Sequence, residues 1–269
     1  MKRVELFEFE DFSWLPKYIR TGVTNLIKVF HRLIGTSDVL ADLIEECQKK
    51  INFTQIVDLG SGSGGPMIDV IEKINKRNTQ NDPIELLLSD KYPNENTVER
   101  INNLNLPNVN YLSNSVDASK IENIPNGLKT MIASFHHMKP KVAKQILKSA
   151  EKNREPILIY EIAENNIPFI LWCLMLPISL IILVLMSLFM TTLVRPLTYI
   201  QIIFTYIIPL IPLVYAWDGQ ASLMRTYTIK DIESMIGQCN DESYIWEVRK
   251  VNKKNGKKAG YYIFGYSKR

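Results

Sequence analysis

The sequence predicts an α/β fold whose mostly parallel sheet is interrupted by an apolar helical insert. Short apolar, β-branched runs alternate with helical segments from residue 55 onward, which is typical of a parallel sheet with helical crossovers. Four glycines follow the first of these runs, within residues 60–65. Between residues 165 and 217, Arg195 is the only charged residue. These features together indicate a ligand-binding α/β domain that carries a separate apolar segment.

Length and composition narrow the class of protein. The 269 residues are enough for one α/β domain and an insertion, and a net charge of +4 gives no reason to expect a nucleic-acid partner. Cys47, Cys173 and Cys239 show neither a disulfide framework nor metal-ligand spacing, which favours a reducing compartment and predicts no metal site. Acidic and aromatic residues stand where a secretion signal would be apolar, so we expect no signal peptide. Nothing in the sequence predicts the oligomeric state.

Residues 1–50 are predicted to form a mostly helical N-terminal segment. Thr36 and the two residues after it are typical of a helix start, and apolar residues recur at helical spacing up to Lys50. Upstream, aromatic and aliphatic residues that include Trp14 form an amphipathic pattern. We expect either helices that simply pack over the sheet or a lid that covers an apolar substrate, with Trp14 in contact with it.

The first strand, residues 55–59, leads into the glycine-rich turn. Without a Cβ, the glycines allow the backbone to approach a ligand closely and to adopt positive φ angles. Pro66 suits the first turn of a helix over residues 66–77. A ligand-free tight turn is the alternative, but four glycines exceed what such a turn requires.

The ligand must also suit Asp58, the carboxylate two positions before the first glycine. Residues 60–65 match the dinucleotide pattern G-x-G-x-x-G, but a carboxylate here would repel a pyrophosphate at the following helix N-terminus. It would suit S-adenosylmethionine (SAM), which carries a sulfonium and an ammonium group. Residues 58–64, DLGSGSG, resemble the first motif of class I SAM-dependent methyltransferases: an acidic residue, a spacer and G-x-G-x-G. The resemblance implies a Rossmann-like sheet and SAM as the cofactor.

The remaining elements agree with this class I methyltransferase layout. Strands are expected at residues 84–89, 109–113, 130–135 and 156–162, with helices at 94–104 and 140–152 between them. A C-terminal hairpin of residues 244–251 and 260–266, joined by Asn255-Gly256, would add an antiparallel strand. The predicted domains are an N-terminal helical lid (1–50), a SAM-binding core (51–164), an apolar membrane insert (165–217) and the C-terminal part of the core (218–269).

Polar residues at the strand ends supply the candidate cofactor site, because ligands of open parallel sheets bind beyond the carboxyl ends of the strands. After the second strand, Asp90 would accept hydrogen bonds from ribose hydroxyls, and Tyr92 would stack on adenosine. The resemblance implies that Asp117, after the third strand, binds the adenine amino group. The predicted cofactor-binding residues are Asp58, Gly60, Ser61, Gly62, Gly64, Asp90, Lys91, Tyr92, Val116, Asp117, Ala118 and Ser134.

Candidate catalytic residues lie at the ends of the fourth and fifth strands. His136 and His137 follow the fourth strand, at the edge where methyltransferases place the departing methyl group, and either imidazole could remove a proton from the acceptor. Hydrogen bonding within the loop is the alternative role for both. Glu161, at the end of the fifth strand, would line the acceptor pocket or merely cap the apolar segment.

The insert ends in a polar series, W-D-G followed by R-T-Y, at residues 217–227. Bacterial class I methyltransferases with an apolar insert carry a similar series, which this chain resembles. Asp218 and Arg225 are therefore predicted to bind substrate, and Arg225 would suit an anionic acceptor group. A helix-cap or surface role is the alternative for Arg225. The N-P-P-Y-type signature of several nucleic-acid and protein amide methyltransferases is absent from the sequence.

The apolar insert predicts a place at a membrane. Residues 167–194 and 197–217 are each long enough to span a bilayer, and Arg195-Pro196 lies between them. Because the flanking strands join one sheet, the number of crossings must be even. Three arrangements remain open: a spanning hairpin with Arg195 near the far face, a re-entrant or in-plane insert, and an apolar cap buried in a soluble dimer. We expect the core at the cytoplasmic face, with membrane lipids as partners.

The predicted activity is transfer of a methyl group from SAM to a small apolar or lipid-like acceptor at the membrane surface. Two alternatives remain at this point. The first is an NAD(P)-dependent oxidoreductase with the same type of sheet, against which Asp58 and Asp117 count. The second is a non-catalytic, membrane-associated protein that binds SAM.

Overall fold

The computed structural model describes residues 2–78, 82–239 and 241–268. The chain forms two compact units. One, the sheet unit, contains residues 35–164 and 229–268, and the other, the apolar unit, contains residues 2–34 and 165–228. The helices are α1 (Lys17–Leu33), α2 (Thr36–Gln48), α3 (Met67–Arg77), α4 (Glu95–Asn102), α5 (Pro140–Lys152), α6 (Phe169–Thr191), α7 (Tyr199–Ile202), α8 (Leu210–Arg225) and α9 (Ile229–Ile236).

The described residues of the sheet unit form a seven-stranded mixed sheet in the order β3-β2-β1-β4-β5-β7-β6. The strands are β1 (Gln55–Leu59), β2 (Glu85–Ser89), β3 (Val109–Tyr111), β4 (Leu128–Ile132), β5 (Ile157–Glu161), β6 (Tyr244–Asn252) and β7 (Lys258–Ser267). β1 to β5 are parallel, and β7 runs antiparallel to both β5 and β6. The predicted α/β, Rossmann-like sheet with an antiparallel C-terminal strand is confirmed.

The fourth strand differs from its predicted position. We expected residues 130–135, whereas β4 begins at Leu128 and ends at Ile132. Ala133 has a φ of 49°, a left-handed conformation that ends the extended backbone. The histidines therefore lie in a 3₁₀ turn, Phe135–His137, and not at the tip of a strand.

The N-terminal residues 2–50 are divided between the two units at Gly35. Gly35, with a φ of 66°, begins the sheet unit, and α2 packs there on α3. Lys73 of α3 donates to the hydroxyl of Ser37 at 2.9 Å, which fixes the first turn of α2. The second boundary also differs from the predicted one, because the chain re-enters the sheet unit at Ile229 and not at Asp218.

The apolar unit is built around α1, α6 and α8. Ile19, Val23 and Leu26 on one side of α1 belong to a buried cluster with Met190 of α6 and Val214 of α8. This amphipathic spacing explains why α1 packs by one face only.

Gly22 allows α1 to approach α8 closely. A Cβ added at Gly22 would lie 2.3 Å from Cδ1 of Ile211, a distance that no side chain there could accommodate without a shift. The second apolar stretch is interrupted, because α7 continues as a π-helical turn, Ile203–Ile207, and α8 then follows Pro209. Among the described residues, α6 alone is an unbroken helix long and apolar enough to cross a membrane. The stretch from Tyr199 to Arg225 is bent by 77° and qualifies only if it is taken as one span.

Gly260 offers a test of the β5–β7 packing. Its φ is 86°, and an added Cβ would lie 1.9 Å from the carbonyl oxygen of Glu161. We expect Gly260→Ala to lower the free energy of unfolding by about 3 kcal/mol or more, through steric overlap added to backbone strain. Gly256→Ala is the matched control, because Gly256 has a φ of 77° with open space around it, and strain alone should cost about 1 kcal/mol. Chemical denaturation followed by circular dichroism measures both, and equal losses would contradict the packing at Gly260.

Candidate active site

The glycine turn after β1 lies at the carboxyl edge of the sheet. Gly60, Gly62, Gly64 and Gly65 all have positive φ angles, between 48° and 97°. At Gly62 an added Cβ would meet no atom within 4 Å, so the backbone borders open space on that side. A ligand can therefore approach the main chain directly, as the sequence predicted.

Asp58 is buried beneath this turn. Its Oδ2 accepts a hydrogen bond from the hydroxyl of Ser61 at 2.6 Å, and its Oδ1 accepts one from Thr130 at 2.7 Å. Burial raises the pKa of the Asp58 carboxyl to about 6, against the lowering effect of the two hydroxyl donors. Both oxygens are thus engaged within the protein, and Asp58 shapes the turn from below.

Ser61 joins the ends of β1 and β2. Its backbone N–H donates to the carbonyl oxygen of Ser89 at 2.9 Å, and its hydroxyl accepts from the Ser89 N–H at 3.1 Å. The Ser89 hydroxyl in turn donates to the carbonyl oxygen of Asp58 at 2.8 Å. The turn is therefore held at its base by short hydrogen bonds between two neighbouring strands.

Sequence reasoning missed three residues that support the turn: Thr130, Ser89 and Tyr111. The parallel register places Thr130 opposite Asp58, which no local sequence pattern reveals. The phenol of Tyr111, at the end of β3, donates to the carbonyl oxygen of Gly62 at 2.9 Å. A small polar residue or a tyrosine near the end of an otherwise apolar strand is the only signal the sequence offers for them.

The loops after β2 and β3 meet at Asp90. Its Oδ2 accepts from the N–H of Gly62 at 3.1 Å, and its Oδ1 accepts from the N–H of Tyr92 at 2.8 Å. The N–H of Val116 donates to the carbonyl oxygen of Asp90 at 2.9 Å. The structure thus brings together predicted cofactor residues from three separate loops.

Asp117 lies in the same group of loops, paired with Lys91 at 2.8 Å. The hydrogen bond from Lys91 lowers the pKa of the Asp117 carboxyl to about 2, and Ser119 contributes two further hydrogen bonds. Ala118 beside it is half-buried, whereas the ring of Tyr92 is 82% exposed. An ionised Asp117 and an exposed aromatic ring are consistent with the predicted adenosine contacts, which stay a prediction.

Ser134 closes the group on the β4 side. A Cβ on Gly60 would lie 3.5 Å from the Ser134 hydroxyl oxygen, so this hydroxyl faces the glycine turn. The oxygen is buried and has no hydrogen-bond partner within the described chain. An orphaned buried hydroxyl costs free energy, and a ligand group that bonds to it would remove that cost.

The catalytic candidates form a compact group at the ends of β4 and β5. Oε1 of Glu161 accepts the backbone N–H of His136, and Oε2 contacts Nδ1 of the same residue, both at 2.9 Å. Glu161 and His136 are both buried, and the ring of His137 lies 4.3 Å from the His136 ring. Because an ionised carboxylate can only accept, the Nδ1 contact assigns Nδ1–H as the donor to Glu161, and in the neutral ring the lone pair is then on Nε2.

The predicted substrate residues Trp14, Asp218 and Arg225 all belong to the apolar unit. Asp218 accepts the backbone N–H groups of Phe9 at 2.7 Å and Glu10 at 3.2 Å. Arg225 pairs with Asp11 at 2.6 Å and also with Glu8, whereas Trp14 is largely exposed. Asp218 and Arg225 therefore bind the N-terminal segment to α8, and a role for any of the three in substrate binding stays a prediction.

Comparison with known proteins agrees with the sheet topology. No protein-family model and no curated sequence matches the chain. Among solved structures, the chain is similar to the plantazolicin methyltransferase BpumL in complex with a monoazolic desmethylPZN analog and S-adenosylhomocysteine (SAH). The TM-score is 0.54 at 12% sequence identity, and the match covers 93% of this chain and 89% of that one. This likeness shows the fold. Two further BpumL structures are similar to this chain at 12% identity. The complex with SAH has a TM-score of 0.52 and covers 93% of this chain and 98% of that one. The complex with a pentazolic desmethylPZN analog and SAH has a TM-score of 0.51 and covers 95% of this chain and 100% of that one.

The buried carboxyl of Asp58 gives the site a measurable pH dependence. Because its pKa is raised from 3.8 to about 6 on folding, the folded chain holds this proton more tightly than the unfolded chain. Stability from this group is therefore full below pH 4 and is lost as the pH rises to about 6. Relative to the wild type, Asp58→Asn should gain up to about 3 kcal/mol of stability between pH 4 and pH 7. Denaturant unfolding of both proteins across this range tests it, and a pH-independent difference would show that Asp58 is ionised throughout.

Proposed function

We infer that this protein is a SAM-dependent methyltransferase that acts on an apolar or lipid-like acceptor. The observation that carries this function is the open glycine turn at Gly62, bordered by the orphaned hydroxyl of Ser134 and by the Asp90 loop. The three solved structures compared above are of a methyltransferase with SAH bound, and two of them also hold a desmethylPZN analog.

The residues present fit SAM. Asp58 and Asp90 place negative charge beneath and beside the turn, which favours a ligand with sulfonium and ammonium groups over a pyrophosphate. Ser134, Asp90 and Asp117 supply the polar groups for the ligand, with the exposed ring of Tyr92 available for stacking. When bound, SAM supplies an electrophilic methyl group.

The sheet also favours SAM over NAD(P). The dinucleotide-binding sheet has the strand order 3-2-1-4-5-6, all parallel. Here β7 lies between β5 and β6 and runs antiparallel to both. The oxidoreductase alternative therefore loses its structural support, and the non-catalytic alternative is opposed by the His136–Glu161 pair.

In the proposed reaction, His136 acts as the general base. Nε2 would take the proton of an acceptor hydroxyl or amine as the acceptor atom bonds to the methyl group and the methyl–sulfur bond breaks. The products would be the methylated acceptor, SAH and an imidazolium ring at His136. Glu161 then stabilises this cation through the Nδ1 contact at 2.9 Å, in a buried site where the attraction is weakly screened. Its second bond, to the His136 backbone, fixes the position of the ring.

The acceptor class follows from the apolar unit, which presents large exposed apolar side chains along α6. Such a surface concentrates apolar molecules or lipids beside the enzyme. Incubating the protein and methyl-labelled SAM with a total lipid extract, and identifying the labelled product, tests the acceptor class. Labelling of water-soluble metabolites alone would contradict a lipid-like acceptor.

Cofactor binding is tested by calorimetry with SAM, SAH and NADH. We expect SAM and SAH to bind and NADH to give no heat. Gly62→Val should abolish binding because its side chain would fill the open space at the turn, and Asp90→Asn should weaken binding by tenfold or more through lost charge-assisted hydrogen bonds. Asp82→Asn, at an exposed position of the sheet unit, is the control and should bind as the wild type does. Unchanged SAH affinity in Gly62→Val would place the cofactor elsewhere.

The His136–Glu161 pair is tested by kinetics once an acceptor is in hand. His136→Ala should lower kcat by about two to four orders of magnitude with SAM affinity unchanged. Glu161→Gln should lower kcat at least tenfold and move the acid limb of the kcat–pH profile to lower pH, because the imidazolium loses its carboxylate partner. His137→Gln should affect kcat less, because His136 is the residue whose ring and backbone both bond to Glu161. If His136→Ala and His137→Gln are both as active as the wild type, the acceptor needs neither histidine as a base.

A further inference from the structure

The outer face of α6 carries a continuous stripe of exposed apolar side chains. Its members recur every three or four residues along the helix: Ile170, Leu174, Ile178, Ile181, Leu185 and Phe189, each 60% exposed or more. From Ile170 to Phe189 the helix rises by 19 steps of 1.5 Å, so the stripe is about 29 Å long. The opposite face, with Ser187, Met190 and Thr191, is buried. Monomeric soluble proteins rarely expose a contiguous apolar surface of this extent.

The C-terminal end of α6 is tied to the end of α1. The guanidinium of Arg32 donates to the carbonyl oxygen of Leu193 at 2.9 Å. Met190 and Val194 belong to the same buried cluster as Val29 of α1. The two helix ends therefore stay together whatever surrounds them.

The chain path from this end decides how α6 can meet a bilayer. Three residues after Arg32 the chain enters the sheet unit at Gly35, and Ser37 is hydrogen-bonded to Lys73 of α3. Three extended residues reach about 10 Å, whereas the hydrocarbon core of a bilayer is about 30 Å thick. The other end of α6 follows β5 after a short link from Glu164. Both ends of α6 must then stay on the membrane side that holds the sheet unit.

The basic residues of the apolar unit suit a lipid surface. α1 contains four basic residues, Lys17, Arg20, Lys28 and Arg32, and no acidic residue. Arg195 is exposed just beyond α6. The aromatic side chains of Trp14, Tyr18 and Tyr199, in the same unit, are also exposed. Basic residues and amphipathic aromatic rings are the groups that proteins place at the headgroup level of anionic membranes.

We propose that the stripe on α6 is an in-plane docking surface for an anionic lipid bilayer. The helix lies along one leaflet with its apolar face among the acyl chains, and it does not cross. This differs from the spanning hairpin, with Arg195 near the far face, that the apolar lengths suggest. The proposal shares with the proposed function only the apolar acceptor, since the SAM site and the His136–Glu161 pair belong to the sheet unit. A failure here would therefore remove the support for a lipid-like acceptor and leave methyl transfer itself standing.

Lipid binding is measured by flotation of the full chain with two sets of vesicles. One set contains neutral lipid alone, and the other contains roughly 30% anionic lipid, to imitate an anionic membrane surface. We expect stronger binding with anionic lipid and weaker binding at high salt. Ile178→Glu should lower vesicle affinity at least tenfold, because it places a charge within the stripe. Leu104→Glu, at a similarly exposed apolar position of the sheet unit, is the matched control and should bind normally. Equal binding by both variants would overturn the surface assignment.

Topology is measured in sealed membrane vesicles from expressing cells with a membrane-impermeant maleimide. Cysteines are placed at Arg195 or at Asp82 of the sheet unit, after Cys173→Ser and Cys239→Ser remove the accessible native thiols; Cys47 is buried. We expect both new cysteines to be labelled from the same side. Labelling from opposite sides would show that α6 crosses the membrane. A detergent-free soluble dimer that does not bind vesicles would show that a second copy covers the stripe, and would also overturn the proposal.

Discussion

The candidate site depends on one buried carboxylate. Removing an ionisable group such as Asp58 from water is costly, and the raised pKa of this carboxyl expresses that cost. Hydroxyl donors from Ser61 and Thr130 offset part of it, and they are also what fixes the glycine turn to β1 and β4. The turn can leave open space for a ligand because its shape is set from below and not by the ligand. An uncharged residue at position 58 would pack more easily but would hold the turn less well.

A second buried carboxylate repeats this arrangement two strands away. Glu161 ends β5 and holds both the backbone and the ring of His136. Ala133, in its left-handed conformation, turns the chain out of β4 so that the histidine can reach Glu161. The chain thus holds the glycine turn and the histidine turn by the same means: an acid at or near the end of a buried strand binds the loop that follows a strand. The ligand turn and the proposed base are therefore fixed relative to one sheet edge.

Local sequence patterns were enough to predict the sheet, its glycine turn and the acidic residues near the ends of β1, β2 and β5, because strand periodicity and glycine content are local signals. They were not enough to find Thr130 or Tyr111, whose roles arise from strand register and not from neighbours in sequence. The end of β4 was misplaced because nothing in the alanine at position 133 signals a positive φ. The division of the N-terminal segment at Gly35 could not be predicted for a different reason. The packing of α1 depends on α8, more than 170 positions away in the sequence.

The W-D-G and R-T-Y series has a structural role within the apolar unit. Asp218 accepts two backbone N–H groups of the N-terminal segment, and Arg225 pairs with Asp11 in the same segment. These bonds join residues about 210 positions apart, so they must offset the entropy of closing a very long loop. They succeed because the apolar cluster of α1, α6 and α8 forms with them. The insert is therefore not an independent hairpin. Among the described residues its inner face packs on the N-terminal helix α1, and the outer face of α6 is exposed.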